Sequence, residues 1–154
     1  MRPDRADAPH RPSLFVGDGI FDPCEVVDDV GTELRAMAPA GVEVRTHHVS
    51  GDIGRVRGDG VRFRQIVEAL GQHALHRTIN GEVTLQTAAW LGDTEVLIYV
   101  MVADHGTRIP KERQAAMFAP FDAATRVRTL ASRAGLPLAI ELAQRMHGQV
   151  RLVG

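Results

Sequence analysis

Asp104-His105-Gly106-Thr107-Arg108-Ile109-Pro110 follows the apolar run 98–103, which reads as a strand. An acid two residues before a glycine, where a buried strand opens into a loop, can offer one carboxylate and bare backbone to a flat polar ligand. The same pattern also makes an ordinary turn, with Asp104 as its capping carboxylate. A second group lies upstream. Ala69, His73 and His76 fall at i, i+4 and i+7, and at about 100° per residue they stack on one side of a helix, beside its apolar stripe. Imidazoles one turn apart suit zinc, copper or nickel, with His105 as a further donor. No Cys or carboxylate stands at ligand spacing, so the plainer reading is two half-exposed helix histidines and no metal.

The composition bounds the rest. A chain of 154 residues with 44% apolar content is one domain with a single core. A net charge of −1 gives no electrostatic reason to expect nucleic acid or an anionic membrane. One cysteine, Cys24, excludes an internal disulfide and points to a reducing compartment. The longest apolar run, 96–103, falls far short of the ~20 residues of a membrane helix, so no membrane insertion is expected. The opening residues are polar, charged and proline-bearing, unlike a signal peptide. A soluble, cytoplasmic chain is the expectation.

Residues 1–12 have no apolar periodicity and read as a flexible lead; the domain is expected over 13–154, with a short edge strand at 13–16. From Pro23, Val26, Val27, Val30, Leu34 and Met37 recur at helical spacing, and Pro39-Ala40-Gly41 stops the run. Residues 42–49 alternate, with Val42, Val44 and Thr46 on one face and Glu43, Arg45 and His47 on the other. A glycine-punctuated connector around Arg55-Val56-Arg57 leads to the strongest helical signature, Phe63, Ile66, Val67, Leu70 and Ala74. After the Asn80-Gly81 turn, residues 83–91 and 95–103 read as an antiparallel hairpin through Gly92-Asp93. Pro110 suits the first turn of a helix reaching about Met117. Residues 122–134, with Arg126, Arg128 and Arg133 and no period, read as a mobile loop. A last helix runs from Gly135 through Met146, and 149–153 is a closing strand.

In this order the segments resemble the ATP-binding domain of sensor histidine kinases, with the ATPase-like fold shared with gyrase and Hsp90, over about residues 20–153. The resemblance implies a two-layer α/β sandwich whose mixed sheet is covered on one face by three helices. It places Ala69, His73 and His76 on the asparagine box, Asn-x-x-x-Asn-Ala-x-Lys, where the second asparagine binds the magnesium that bridges the ATP phosphates. Magnesium wants hard oxygen ligands, so His73 is a poor substitute. Asp104, Gly106 and Ile109 match Asp-x-Gly-x-Gly-Ile, whose aspartate hydrogen-bonds the adenine amino group, while Arg108 replaces the second glycine. A guanidinium there either fills part of the adenine cavity or turns toward the phosphates.

The phosphate cradle Gly-x-Gly-Leu-Gly-Leu, at a helix N-terminus, corresponds to the run from Arg133 to Leu138, in which Gly135 and Leu136 remain and Pro137 has no N–H to donate. Met117-Phe118-Ala119-Pro120-Phe121 matches the phenylalanine box, and residues 122–134 correspond to the ATP lid. The phosphoacceptor box His-Glu-x-x-x-Pro is missing with its dimerisation helices, and the chain stops before the final strand, so the resemblance implies a fragment or trimmed domain of a parent that can be membrane-anchored. The implied function is a degenerate kinase-type domain, with no catalytic residue of its own, serving as a signalling module in a two-component phosphorelay. ATP or ADP would bind weakly, magnesium is doubtful, and the partner would be a response regulator or a dimerisation domain. The alternatives are a working ATP-binding catalytic domain with atypical motifs and an anti-sigma-type binding protein on the same fold.

Overall fold

The computed structural model describes residues 19–105 and 135–151. Within them the chain forms β1 (Gly19–Phe21), α1 (Pro23–Met37), β2 (Val42–His48), β3 (Val56–Gly58), α2 (Gly60–Arg77), β4 (Gly81–Leu91), β5 (Val96–Asp104) and α3 (Gly135–Arg145). Helix α1 starts where its chemistry says it should. The Asp22 carboxylate accepts from the N–H of Cys24 at 2.9 Å and of Glu25 at 3.3 Å, and Pro23 occupies a position whose N–H would have no helical partner. Asp59 caps α2 in the same way, accepting from Arg62 N–H at 2.9 Å.

The main sheet has the order β2-β4-β5 and is mixed. β2 runs parallel to β4, with Val44 opposite Val83, and β4 runs antiparallel to β5, with Leu85 opposite Val102. Its inner face carries Val44, Val83, Leu85 and Thr87, backed by the half-buried Ile98, Val100 and Val102. Onto it pack Val27, Val30 and Leu34 of α1 and Phe63, Val67, Ala74 and Leu75 of α2. Helix α3 lies against α2, burying Leu136, Ala139, Leu142 and Ala143, and Met146 just beyond it reaches the central core. The expected α/β sandwich, a mixed sheet covered on one face by three helices, is the observed architecture.

A small second sheet was not anticipated in this form: β1 pairs antiparallel with β3, Gly19 opposite Gly58 and Phe21 opposite Val56. Phe21 then stacks on Phe63 with ring centroids 5.2 Å apart. The expected strand 149–153 is corrected over its described part, because Gln149, Val150 and Arg151 are not in a strand. His147 adopts φ 61° and Gly148 N–H returns to the Ala143 carbonyl at 2.7 Å, which closes α3. A five-residue stretch of this kind forms a strand only when a neighbouring edge accepts it. The strand expected at 13–16, the helix from Pro110 to Met117, the phenylalanine box and the loop 122–134 lie outside the described residues.

Helix α1 is tied to the sheet and to α2 by polar contacts as well. Arg64 of α2 bonds Glu68 at 2.8 Å and Glu33 of α1. Burial works against the Arg64 charge, but its hydrogen bond to Glu68 and the charges of Glu33 and Glu68 hold its pKa above the ordinary value. On the sheet side, Thr87 is 1% exposed; its Oγ1 lies 2.6 Å from His48 Nδ1, and His48 Nε2 lies 2.8 Å from Asp28 Oδ1 of α1. Thr87→Val keeps the shape and removes the hydroxyl, which strips His48 Nδ1 of that contact. The expected loss is about 1–3 kcal/mol, read as a lower urea midpoint at unchanged slope. An unchanged midpoint would show that this line of contacts contributes nothing net.

Candidate functional site

Helix α2 carries three of the candidate residues and packs against β5 and α3, the elements that carry Asp104 and Gly135 with Leu136. Ala69 is buried at 7%, His73 is half-buried one turn on, and His76 is exposed. His76 Nδ1 lies 2.8 Å from the carbonyl oxygen of Gln72, a local helix contact that takes one of its two nitrogens. Burial of the three falls along the helix from Ala69 to His76.

Asp104 is the last residue of β5, opposite Val83, and is half-buried. The strand delivers the carboxylate to the sheet's end, as its sequence position requires. His105 turns elsewhere: its Nδ1 accepts from the Glu82 N–H at 3.0 Å. A Cβ on Gly81, which has φ 120°, would meet that nitrogen at 2.7 Å, so the close seat depends on glycine. Gly135 opens α3 with Pro137 in its first turn, and Leu136 is buried at 8%, which makes it a packing residue of α3. Gly106, Arg108 and Ile109 lie outside the described residues.

At Ala69 and His73 of α2 no side-chain oxygen is offered to a hard cation. Their side chains are a methyl group and an imidazole, where an octahedral hard cation needs oxygen. His73, His76 and His105 are not among the described side chains whose ligand atoms cluster. Among the described residues, the group of three or more such side chains whose ligand atoms lie within 4.8 Å of one another is Asp22, Cys24 and Asp52. Sequence reasoning did not single these out, since Asp52 is far from Asp22 in the chain and no local spacing signals it. Both carboxylates already serve the backbone there, Asp22 as the α1 cap and Asp52 as acceptor from Gly54 N–H at 3.0 Å. Cys24, 6% exposed, has its Sγ 3.7 Å from the Gly51 carbonyl oxygen.

A mixed sheet covered on one face by three helices is the architecture of an ATPase-like α/β domain. The sequence profile of the histidine kinase-, DNA gyrase B- and HSP90-like ATPases matches residues 58–153, well over half of the chain, and the chain belongs to that family. No curated protein sequence matches it. Among solved structures, it is similar to the catalytic domain of the histidine kinase ThkA in a nucleotide-free form, with TM-score 0.62 and 22% identity over 84% of this chain and 82% of that one. It is also similar to the mycobacterial sensor histidine kinase MprB, with TM-score 0.62 and 17% identity over 85% and 81%. The Acinetobacter baumannii histidine kinase AdeS gives TM-score 0.58 and 19% identity over 88% of this chain and 59% of that one. These likenesses establish the shared fold. No helix among the described residues is long and apolar enough to cross a membrane.

Proposed function

We propose that this chain is a degenerate histidine-kinase-type ATP-binding domain, a pseudokinase module that signals by protein contact within a two-component phosphorelay and binds Mg-ATP weakly or not at all. The observation that carries the reading is the pair Ala69 and His73 on α2, which leaves no side-chain oxygen where the family holds its magnesium-binding asparagine. Pro137 in the first turn of α3 supports it, because that turn lacks one N–H for a phosphate. Arg108, in place of the second glycine of the adenine motif, adds bulk. Within this reading the domain occupies 13–154 behind a flexible lead at 1–12. It works in the cytoplasm, as part of a parent that can be membrane-anchored, and its partner is a response regulator or a kinase dimerisation domain.

Asp104 favours a second reading. The carboxylate that would read adenine is retained at the end of β5, and a working domain could pair Arg108 with phosphate in place of the metal. Calorimetric titration with ATP, repeated in EDTA and with Asp104→Asn, separates the two. The degenerate reading expects little heat below millimolar nucleotide and no effect of EDTA. Micromolar, magnesium-dependent binding that disappears in Asp104→Asn would restore an active kinase domain. Binding that persists in EDTA and falls steeply with salt would assign the contact to arginine and phosphate.

A further inference from the structure

The helices cover one face of the main sheet; the opposite face of the β4–β5 hairpin bears a contiguous set of large apolar side chains. Alternation sends Thr84, Gln86, Ala88 and Trp90 of β4 to that face, and the register sets them opposite Ala103, Met101, Tyr99 and Leu97 of β5. Trp90 is 63% exposed, Leu97 56%, Tyr99 52% and Met101 59%, and the Trp90 and Tyr99 rings meet edge to face with centroids 5.2 Å apart. A solvent-facing antiparallel surface ordinarily alternates to polar residues on its wet side. Tryptophan, tyrosine and methionine are the types enriched at the centres of protein interfaces.

We propose that this outer face of the β4–β5 hairpin is a self-association surface, covered by the same face of a second copy of this chain. Charge placement is the first argument for that occupant. The ionised side chains of the face sit on the β2 side and at the start of β4, where Arg45 pairs with Glu43 at 3.1 Å and with Glu82 at 3.2 Å. The Glu43 hydrogen bond and charge, with the charge of Glu82, hold the Arg45 pKa above its ordinary value, so this corner is already a satisfied ionic cluster. Among the described residues, the apolar half of this face, Trp90, Leu97, Tyr99 and Met101 with Ala88, carries no cation for a nucleic acid or an anionic surface. A neutral, apolar, twisted surface is complementary to it, and a second copy supplies one with the same twist, at the ~10 Å spacing of face-to-face sheets.

Area is the second argument. Four large side chains exposing on the order of 100 Å² each give ~400 Å² per copy, the size of the largest apolar patch on a typical monomer, which is often functional. Two copies, with Thr84, Gln86, Ala88 and Ala103 filling between them, bury about 1,000 Å², the threshold of a specific but weak contact. A two-fold arrangement sets the aromatic pair of each copy against the apolar centre of the other and leaves the ionic corner on the wet rim.

Sedimentation velocity on the full chain from about 10 μM to about 1 mM tests this, since an interface of this size saturates toward the upper end. The dimer fraction should rise with concentration in the wild type and in Ile79→Glu, which changes an 87% exposed apolar residue off the sheet. Tyr99→Lys and Leu97→Glu should each weaken it at least about tenfold, with circular dichroism confirming that both remain folded. Trp90 is the chain's one tryptophan, so its emission should move to shorter wavelength as the dimer forms. A wild-type monomer throughout, which would leave the face to a different protein, overturns the proposal. Association undiminished in folded Tyr99→Lys and Leu97→Glu overturns it too, as does doubling of mass with no change in Trp90 emission.

Discussion

The triple replacement His73→Asn, Arg108→Gly and Pro137→Gly is expected to raise Mg-ATP affinity by about three orders of magnitude or more. Under the proposed reading the three positions serve one nucleotide pocket, and the magnitude follows from what each change returns to it. Asparagine puts an oxygen on α2 where the imidazole of His73 now stands, and each hydrogen-bonding or metal contact of this kind contributes about 1–3 kcal/mol. Glycine at 137 gives the first turn of α3 the N–H that proline lacks, at a modest cost in backbone freedom. Glycine at 108 removes bulk from the adenine motif. Three such gains at ~1.4 kcal/mol per decade account for the expected factor. The single variants discriminate further: His73→Asn alone should make binding sensitive to EDTA, whereas Pro137→Gly alone should strengthen ATP without magnesium. If the triple variant binds no better than the wild type in calorimetry, these three letters are not what limits the pocket.

Most of the fold is legible in the sequence where local chemistry and periodicity agree. Helix α1 is announced by apolar periodicity from Pro23 and by Pro39-Ala40-Gly41 beyond its finish, and the structure places it at Pro23–Met37. The β4–β5 hairpin follows from alternation around Gly92-Asp93. The stripe on α2 is less complete. Phe63, Val67 and Ala74 are buried as their spacing says, but Ile66 and Leu70 are half-buried, while Ala69, Gly71 and Leu75 are buried. The reason is that α2 packs on the sheet and on α3 at once, so two sides of it are covered, and a single apolar stripe describes only one.

The same limit applies to the site. Asp104 at the end of β5 is readable from the strand that precedes it. Position alone cannot show that His105 is drawn to the Glu82 N–H, away from the α2 histidines, because that contact depends on the turn geometry of Gly81. Nor can it show the line from Asp28 through His48 to Thr87, whose members come from three elements far apart in the chain.

The largest stability effects are expected where α1 crosses α2, at Leu34 and Gly71, and there the sign of a substitution should depend on its neighbour. Leu34 is 1% exposed, and a Cβ added to Gly71 would lie 2.5 Å from its Cδ1. Leu34→Ala should cost about 3–5 kcal/mol, the transfer of a buried side chain plus the cavity it leaves. Gly71→Ala in the wild type sets a helix-propensity gain of about 1 kcal/mol against an overpacking cost of about 1–3 kcal/mol, and the clash should win. In the Leu34→Ala background the clash is gone and the new methyl enters the vacated space, so Gly71→Ala should become stabilising by about 1 kcal/mol. Urea unfolding of the four proteins gives the coupling directly, expected at about 2 kcal/mol for residues in contact. Equal effects of Gly71→Ala in both backgrounds would mean that the two side chains do not meet, and the α1–α2 packing that positions His73 would have to be redrawn.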